Sequence, residues 1–393
     1  MTTLAPRVVD PHLLADLQRL GAPDVSACVS CGTCTAVCPL ADNDGTFPRR
    51  LVRYGIVGMR EDLLASKELW TCYHCGACSE SCPMEADPGA YMAAARRYAI
   101  ASYDPTGVAR VLATRPLASL SILTGLAALF AAILTIDHGP APRGRLDLFR
   151  FVPDATIHWT GVAVIGLVLV VTLVSVSSMV RGVARREGVG PRHLLTGRAG
   201  WRHGWRAAWD SVVVESLGQR RYREDCREAA TPEPWYRRRW IAHALTMWGF
   251  LGLLLATMFD YGLSLIGARA TGTPEPVWYP VRLLGTVAGV AMMLGVSTLI
   301  VNRARRVSVS VRHSEPGDWL LLGLLWLIGA SGLTTEIALY VGGGPAWGYG
   351  VFVAHVTLAL ALLVLLPVMK FAHVVYRPLA LFFHSLARAS ASA

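Results

Sequence analysis

The chain has 393 residues, of which 53% are hydrophobic and only 16% are charged, and its mean hydropathy is +0.42. Soluble domains carry about 25% charged residues, so this composition excludes an ordinary water-soluble enzyme and predicts that lipid surrounds part of the chain. The net charge is +10 and is carried by arginine, since Lys67 and Lys370 are the only lysines. Residues 1–21 lack an apolar run of signal-peptide length, so we expect no cleaved signal there.

The first elements in chain order are two cysteine motifs, CVSCGTCTAVCP and CYHCGACSESCP, each with the spacing C-x2-C-x2-C-x3-C-P. This spacing is typical of ferredoxins with two 4Fe–4S clusters, in which the fourth cysteine of each motif binds the cluster of the other motif. We therefore predict one cluster on Cys28, Cys31, Cys34 and Cys82, and the other on Cys72, Cys75, Cys78 and Cys38.

A zinc ribbon and a disulfide framework are the two alternatives to iron–sulfur clusters. Zinc sites usually use two C-x2-C pairs, not two quartets that each end in Cys-Pro. Thiols that start in a reducing cytoplasm favour metal binding over disulfides. Apolar residues at helical intervals surround both motifs, so residues 1–110 are predicted to form a mostly α-helical cytoplasmic domain.

Residues 111–393 have the composition of a membrane domain. An apolar run of about 20 residues is long enough to span a bilayer as a helix. Six such runs are present, at 116–136, 157–180, 241–265, 281–301, 319–341 and 350–374.

The arginines indicate how these runs are oriented. The segment 181–240 contains 14 arginines and no lysine, and the segment 302–318 contains four more. The loops on the opposite side contain four: Arg143, Arg145, Arg150 and Arg269. By the positive-inside rule the arginine-rich loops are cytoplasmic, and six spans then place both termini in the cytoplasm. Most of the positive charge is explained by the orientation of the spans in the membrane, so we predict no binding of nucleic acid. The segment 181–240 could still dock an acidic partner or lipid headgroups.

Four histidines in or near the spans are candidate haem ligands, because imidazoles are rare inside bilayers and often functional there. His243 and His373 lie at the cytoplasmic end of their predicted spans, and His158 and His355 lie toward the outer end. Along one helix, 18 residues make five turns, so His355 and His373 would share a face. We predict an inner haem b between His243 and His373 and an outer haem b between His158 and His355. His138 is a rival ligand for the outer haem, and buried histidines without cofactor are the plain alternative.

These features predict an all-α protein, with a helical two-cluster ferredoxin domain followed by a six-helix transmembrane cytochrome b bundle. The cysteine motifs, with ELWTCYHCGACSESCP, resemble the small iron–sulfur subunit of heterodisulfide reductase. The segment FVAHVTLALALLVLLPVMKFAH resembles the last helix of the nitrate reductase gamma family and of the heterodisulfide reductase cytochrome b subunit, where two histidines ligate two haems. The fusion of both modules is similar to the membrane subunit of quinone-interacting membrane-bound oxidoreductases. One departure is Leu253, where the nitrate reductase type has a second histidine.

Because the predicted cytochrome lies in the bilayer and is linked to iron–sulfur clusters, we predict that it exchanges electrons with menaquinone. Quinol oxidation releases protons, and we predict Glu336 or Asp260, near the outer face, as their acceptor. The plain alternative is that these carboxylates mark helix ends near water. The predicted route runs from quinol through outer haem, inner haem and clusters to a soluble partner, with the direction left open.

No nucleotide-binding motif is present in the sequence, so the terminal catalytic centre is expected on another polypeptide. The resemblance implies a heterodisulfide-reductase-A-like flavoprotein and, in sulfate reducers, adenylylsulfate reductase. A redox role for Cys226, in the arginine-rich segment, is left open.

Two other classes of function remain possible. One is part of an ion pump, which needs more carboxylates or lysines at mid-membrane. The other is a membrane-anchored iron–sulfur sensor, which needs no paired histidines.

Overall fold

The structure is a computed structural model of the chain. It describes residues 8–41, 46–142, 144, 146–188, 197–225, 234–268, 276–341 and 344–391. Within these ranges the ordered elements are helices, and no β-strand is formed. The predicted all-α class is therefore confirmed.

Eight helices form the N-terminal domain. They are α1 (Leu13–Arg19), α2 (Thr33–Ala36), α3 (Arg49–Ile56), α4 (Arg60–Leu64), α5 (Glu68–Thr71), α6 (Ala77–Glu80), α7 (Pro88–Tyr103) and α8 (Val108–Thr114). Pro88 starts α7, where its missing N–H costs nothing, and the Asp87 carboxylate caps the helix by accepting from Ala90 N at 3.0 Å. Trp70, Tyr91 and Tyr98 are buried in the core of this domain. The domain boundary predicted at residue 110 falls inside α8, so the N-terminal helices continue to Thr114.

Six of the helices that follow are long and apolar enough to cross a membrane. They are α9 (Pro116–Thr135), α11 (Asp154–Glu187), α14 (Arg239–Leu265), α15 (Pro280–Ala304), α17 (Pro316–Tyr340) and α18 (Trp347–Leu365). The six predicted runs are confirmed as helices, with bounds that differ by a few residues at most ends and by more for α11 and the last run. Large apolar side chains such as Leu173 and Leu254 point outward and are exposed, as expected for helices surrounded by lipid.

Shorter helices connect or follow these six. They are α10 (Leu148–Phe151), α12 (Gly197–Trp209), α13 (Arg220–Asp225), α16 (Val309–Arg312) and α19 (His373–Ala391). A π-helical segment, Asp210–Leu217, directly follows α12. Short 3₁₀ turns occur at Val25–Ala27, Trp235–Arg237, Leu366–Val368 and Lys370–Ala372.

Small residues bring α14 and α15 into close contact. A side chain at Gly249 would lie 2.5 Å from the backbone nitrogen of Met292, and one at Gly295 would lie 2.6 Å from that of Thr246. Such small residues let helix backbones approach each other inside membranes, where no hydrophobic effect drives helices together. The glycine on α14 therefore serves helix packing.

The last predicted span is broken, which corrects the expectation of one helix carrying both His355 and His373. Helix α18 ends at Leu365, and Met369 has extended backbone angles (φ −100°, ψ 178°) between two 3₁₀ turns. The physical reason is Pro367, which lacks an N–H and clashes with the preceding helical turn. The argument that five helical turns align the two histidines therefore fails.

The N-terminal domain packs on one end of the bundle. Lys67 pairs with Glu187 at the end of α11, and Arg186 donates to the Tyr54 hydroxyl at 3.0 Å. The ring of Trp70 packs 4.7 Å from that of Tyr376 of α19, with an angle of 40° between the ring planes. One continuous hydrophobic core includes residues of both parts. The arginine-rich ends of the spans and the cysteine motifs therefore lie on the same side of the bundle.

Candidate electron-transfer site

The two cysteine motifs share one backbone conformation. The residue before the second cysteine of each motif, Ser30 or His74, has φ +56°, although neither is glycine. The residue after that cysteine, Gly32 or Gly76, has φ of +91° or +94°, a conformation that glycine adopts without strain. A four-residue helix, α2 or α6, then starts in each motif. The equal spacing thus produces two equivalent loops.

These loops have the chemistry that an iron–sulfur cluster requires. Alternation of ordinary and left-handed backbone angles turns successive N–H groups toward one point and creates an anion-binding concavity. The backbone N–H of His74 donates to the sulfur of Cys72 at 3.4 Å, and Thr33 Oγ1 lies 3.4 Å from the sulfur of Cys31. Donors near sulfur stabilise thiolate and cluster charge. The residues present therefore fit 4Fe–4S clusters.

Cys38 of the first motif lies beside the cysteines of the second. Burial raises the pKa of the Cys38 thiol to about 12, and the nearby Cys72 and Cys75 contribute to the rise by charge repulsion. Burial also raises the pKa of Cys78, with Cys72, Cys75 and Cys38 as the next causes. This is the neighbourhood expected if Cys38 completes the second cluster. The matching position of Cys82 at the first cluster stays a prediction.

Within the described ranges, no three His, Cys, Asp or Glu side chains converge as ligands of a single metal ion. A zinc ribbon brings four ligands to about 2 Å from one ion. In a 4Fe–4S cluster each cysteine binds a different iron, so the four sulfurs stand farther apart.

The structure brings His243 of α14 and His373 of α19 together. Their ring centroids are 6.3 Å apart, with an angle of 57° between the ring planes. Two imidazoles whose nitrogens each lie about 2 Å from one metal would have centroids about 6 Å apart. The pair therefore fits two axial ligands of one iron.

Hydrogen bonding leaves the pair free to ligate. His373 Nδ1 lies 2.7 Å from the carbonyl oxygen of Lys370. Because a carbonyl only accepts, this nitrogen carries the proton, and Nε2 keeps its lone pair for a metal. His243 Nδ1 is buried without a hydrogen-bond partner. Phe250 packs against Phe371 at 5.0 Å and covers the gap between α14 and the turn before His373.

Two arginines connect this histidine pair to the second cysteine motif, and sequence reasoning missed both. Arg239 precedes His243 by four residues and donates to the carbonyl oxygen of His74 at 3.1 Å. Arg377 follows His373 by four residues and donates to the carbonyl oxygen of Cys72 at 3.3 Å. Residues four apart share a helix face. That spacing in the sequence was the signal that could have identified them.

The outer histidines are not brought together. His158 Nδ1 lies 2.8 Å from the hydroxyl of Tyr261, and their rings stack. His355 Nδ1 lies 3.1 Å from the carbonyl oxygen of Ile328 on α17. Among the described ring contacts, His158 and His355 do not meet, and His138 packs against Phe151. The predicted outer haem therefore has no preformed ligand pair in this structure.

The two predicted proton acceptors lie toward the end of the bundle that is opposite the cysteine motifs. Glu336 accepts from the hydroxyl of Thr286 at 2.6 Å and lies 3.4 Å from Arg282. Arg282 also donates to the hydroxyl of Tyr340 at 3.2 Å. Asp260 precedes Tyr261, the residue bonded to His158, on α14. Cys226 lies outside the described residues.

Comparison with known proteins supports this division of the chain. A family model described as a 4Fe-4S dicluster domain matches residues 24–86, which contain both cysteine motifs. A family model described as citrate utilization protein B matches residues 105–393, which contain the six apolar helices and all four histidines considered above. No curated protein and no solved structure matches the chain.

Together the two matches describe an iron–sulfur domain joined to a multi-pass membrane domain, an arrangement suited to electron transfer. Neither match is specific for quinone-interacting membrane-bound oxidoreductases, so that finer resemblance stays a prediction. The second match spans well over half of the chain. The chain therefore belongs to the citrate utilization protein B family.

Proposed function

We propose that the chain is the membrane electron-transfer subunit of a quinone-linked oxidoreductase complex, exchanging electrons between menaquinone in the bilayer and a water-soluble partner. The observation that carries the proposal is the position of His243 and His373 beside the second cysteine motif. Arg239 and Arg377, each one helical turn from a histidine, hold the backbone of that motif.

Three groups of residues would hold cofactors in this proposal. His243 and His373 would hold a b-type haem, and the eight motif cysteines would hold two 4Fe–4S clusters: Cys28, Cys31, Cys34 and Cys82 for one, and Cys72, Cys75, Cys78 and Cys38 for the other. When bound, haem and clusters each take up and release one electron. Two histidine ligands would leave such a haem suited to carrying electrons and not to binding oxygen.

The protein's own side chains keep this junction in place. The Lys370 carbonyl oxygen orients His373, and Phe250 of α14 packs against Phe371 in the turn before His373. The positive charges of Arg239 and Arg377 favour the reduced, more negative state of the neighbouring cluster.

The quinone is proposed to react at the outer end of the bundle. Oxidation of a quinol releases two protons, which need acceptors within hydrogen-bond reach. Glu336 lies 3.4 Å from Arg282, and Asp260 lies next to the hydrogen-bonded pair of Tyr261 and His158. Because His158 and His355 face different partners, binding of a second haem would require that the two helices shift.

The soluble partner is proposed to be a flavoprotein of the heterodisulfide-reductase-A type, with adenylylsulfate reductase beyond it in sulfur metabolism. This part rests on the resemblance of the cysteine motifs and of the whole fusion. The cluster domain and the arginine-rich loops are proposed to lie in the cytoplasm, because positively charged loops stay on that side. A partner there reaches the first cluster from the face of the domain that points away from the bundle.

The test is a reduced-minus-oxidised absorption spectrum of the purified chain in nanodiscs, recorded after adding a menaquinol analogue. We expect low-spin b-type bands near 560 nm, roughly where haems with two histidine ligands absorb. A variant with Cys72→Ser and Cys75→Ser should keep these bands and lose the electron paramagnetic resonance of the second cluster. Intact clusters without any haem bands would contradict the proposal and favour an iron–sulfur sensor anchored in the membrane.

A further inference from the structure

Helix α12 presents a regular stripe of exposed tryptophans. Trp201, Trp205 and Trp209 are four residues apart, and their exposed fractions are 72%, 62% and 52%. Residues at this spacing lie on one face of an α-helix. An exposed apolar surface of this size is rare on soluble proteins and marks a site of interaction.

The opposite face of α12 holds the helix against the protein. Ala207 is buried, and the Ser211 hydroxyl, in the following turn, donates to the carbonyl oxygen of Ala207 at 2.6 Å. This face packs on α19, which begins directly after the last span. The small buried face and the large exposed face show that the tryptophan stripe faces away from the protein.

Arginines accompany the tryptophans. Arg202 and Arg206 each directly follow a tryptophan of the stripe and are exposed. From residue 200 to residue 210 the single acidic residue is Asp210, which lies beyond the last tryptophan. A helix with tryptophans beside basic side chains is complementary to a lipid headgroup layer of negative charge.

The position of α12 agrees with such a layer. Glu215, in the π-helical segment after α12, accepts from the hydroxyl of Tyr73 at 3.2 Å, so the segment lies beside the second cysteine motif. The next described aromatic residues after α13, Trp235 and Tyr236, are also exposed and directly precede α14. Tryptophan and tyrosine concentrate where spanning helices meet water. The stripe therefore lies at the end of the bundle where the membrane surface is present.

We propose that α12 lies along the membrane surface on the side of the cluster domain, with its tryptophans among the lipid headgroups and Arg202 and Arg206 bound to the phosphates of anionic lipids. A soluble protein could also cover an apolar stripe. The regular tryptophan–arginine pattern beside the ends of the spans favours lipid. This inference does not depend on haem or quinone.

The test uses the full chain in nanodiscs that contain lipids brominated on the upper part of the acyl chain. Bromine quenches tryptophan fluorescence on contact, and the signal of the stripe is obtained by subtracting the variant Trp201→Phe, Trp205→Phe and Trp209→Phe from the parent chain. We expect bromolipid to quench this difference signal at least twofold, whereas aqueous iodide leaves it unchanged. The variant Trp70→Phe, which reports a buried tryptophan, is the control and should give a difference signal insensitive to both quenchers.

A second measurement examines the headgroup. Brominated phosphatidylglycerol in unbrominated phosphatidylcholine is compared with the reverse mixture at equal mole fraction. We expect the anionic bromolipid to quench more strongly, since each arginine near an anionic surface enriches the lipid about fivefold. The double variant Arg202→Gln and Arg206→Gln should remove this difference.

Either of two results would overturn the proposal. Quenching by iodide without quenching by bromolipid would assign the stripe to a water-soluble partner. Equal quenching by the two lipid mixtures in the parent chain would show that the arginines bind no anionic headgroups. If the triple variant does not fold, the conservative single variant Trp205→Phe supplies a difference signal from the central tryptophan of the stripe, with the same expected responses to both quenchers.

Discussion

At the scale of single residues, the function depends on which side chains from distant parts of the chain lie next to each other. His243 and His373 are 130 residues apart in sequence and have ring centroids 6.3 Å apart in the structure. Arg239 and Arg377 are positioned by the same two helices. The two histidines were predicted to pair because their spans place them at the same depth in the membrane. The two arginines were not predicted.

Replacing either inner histidine should remove the haem. The His243→Ala or His373→Ala variant leaves one axial ligand, and we expect the low-spin b-type signal per protein to fall by at least about tenfold, the loss typical of a missing ligand contact. Absorption spectra and total haem per purified chain measure this. The His355→Ala variant is the matched control and should keep the inner haem, because His355 contacts α17 instead. Full haem content in His243→Ala would remove this residue from the ligand set.

Replacing Arg377 should change the potential of the second cluster. Arg377→Gln removes a positive charge that lies against the Cys72 backbone, and one unit charge at an effective dielectric of 20 contributes on the order of 1–2 kcal/mol, about 40–90 mV for one electron. We expect a shift of this size to lower potential in a redox titration followed by electron paramagnetic resonance.

Two control variants distinguish the effect of the Arg377 charge from an effect on folding. Arg377→Lys keeps the charge and should retain most of the potential. Arg181→Gln removes an exposed arginine of α11 and should have no effect. An unchanged potential in Arg377→Gln would show that this arginine serves packing alone.

At the scale of elements, the break between α18 and α19 determines where His373 points. The Lys370 amine lies 2.7 Å from Asp318 of α17, and Arg303 of α15 lies 3.2 Å from the same carboxylate. Asp318 is buried and Arg303 is partly buried, and these ion pairs attach the turn that holds His373 to two spans. Proline in the sequence indicated that a break was possible, but the buried ion pair that stabilises the break joins residues far apart in the chain.

Breaking this ion pair should loosen the turn. Asp318→Asn leaves Lys370 and Arg303 without their counter-charge, and we expect about 2–4 kcal/mol of destabilisation, at the lower end for a broken buried pair because the Lys370 side chain is half exposed. Thermal unfolding in detergent and haem content should both decrease. Glu336→Gln, at the opposite end of the bundle, is the control for haem content. Normal haem binding in Asp318→Asn would show that the turn holds His373 without this pair.

At the scale of the whole molecule, the cluster domain and the arginine-rich ends of the spans occupy one end of the bundle. Lys67 pairs with Glu187, and Arg239 contacts His74, so two different spans meet the same domain at their ends. By the positive-inside rule, this end of the bundle is expected in the cytoplasm. Because α14 crosses the membrane once, the connection between α14 and α15 is expected on the opposite side of the membrane.

Topology reporters test this arrangement. A fluorescent protein fused after residue 393 should be bright, because it folds in the cytoplasm, and alkaline phosphatase fused at residue 272 should be active, because it requires the other side of the membrane. Phosphatase fused at residue 230 is the matched control and should be inactive. Active phosphatase at residue 230 would reverse the predicted orientation.

The sequence alone determined the features that depend on neighbouring residues. Cysteines at fixed spacing specify equivalent loops through local backbone angles, and 20-residue apolar runs specify spanning helices through the cost of unpaired backbone groups in lipid. Only the tertiary structure decided which histidines meet, since that depends on how helices rotate and tilt as their side chains pack. It paired His243 with His373, separated His158 from His355, and placed two arginines against the cysteine loop.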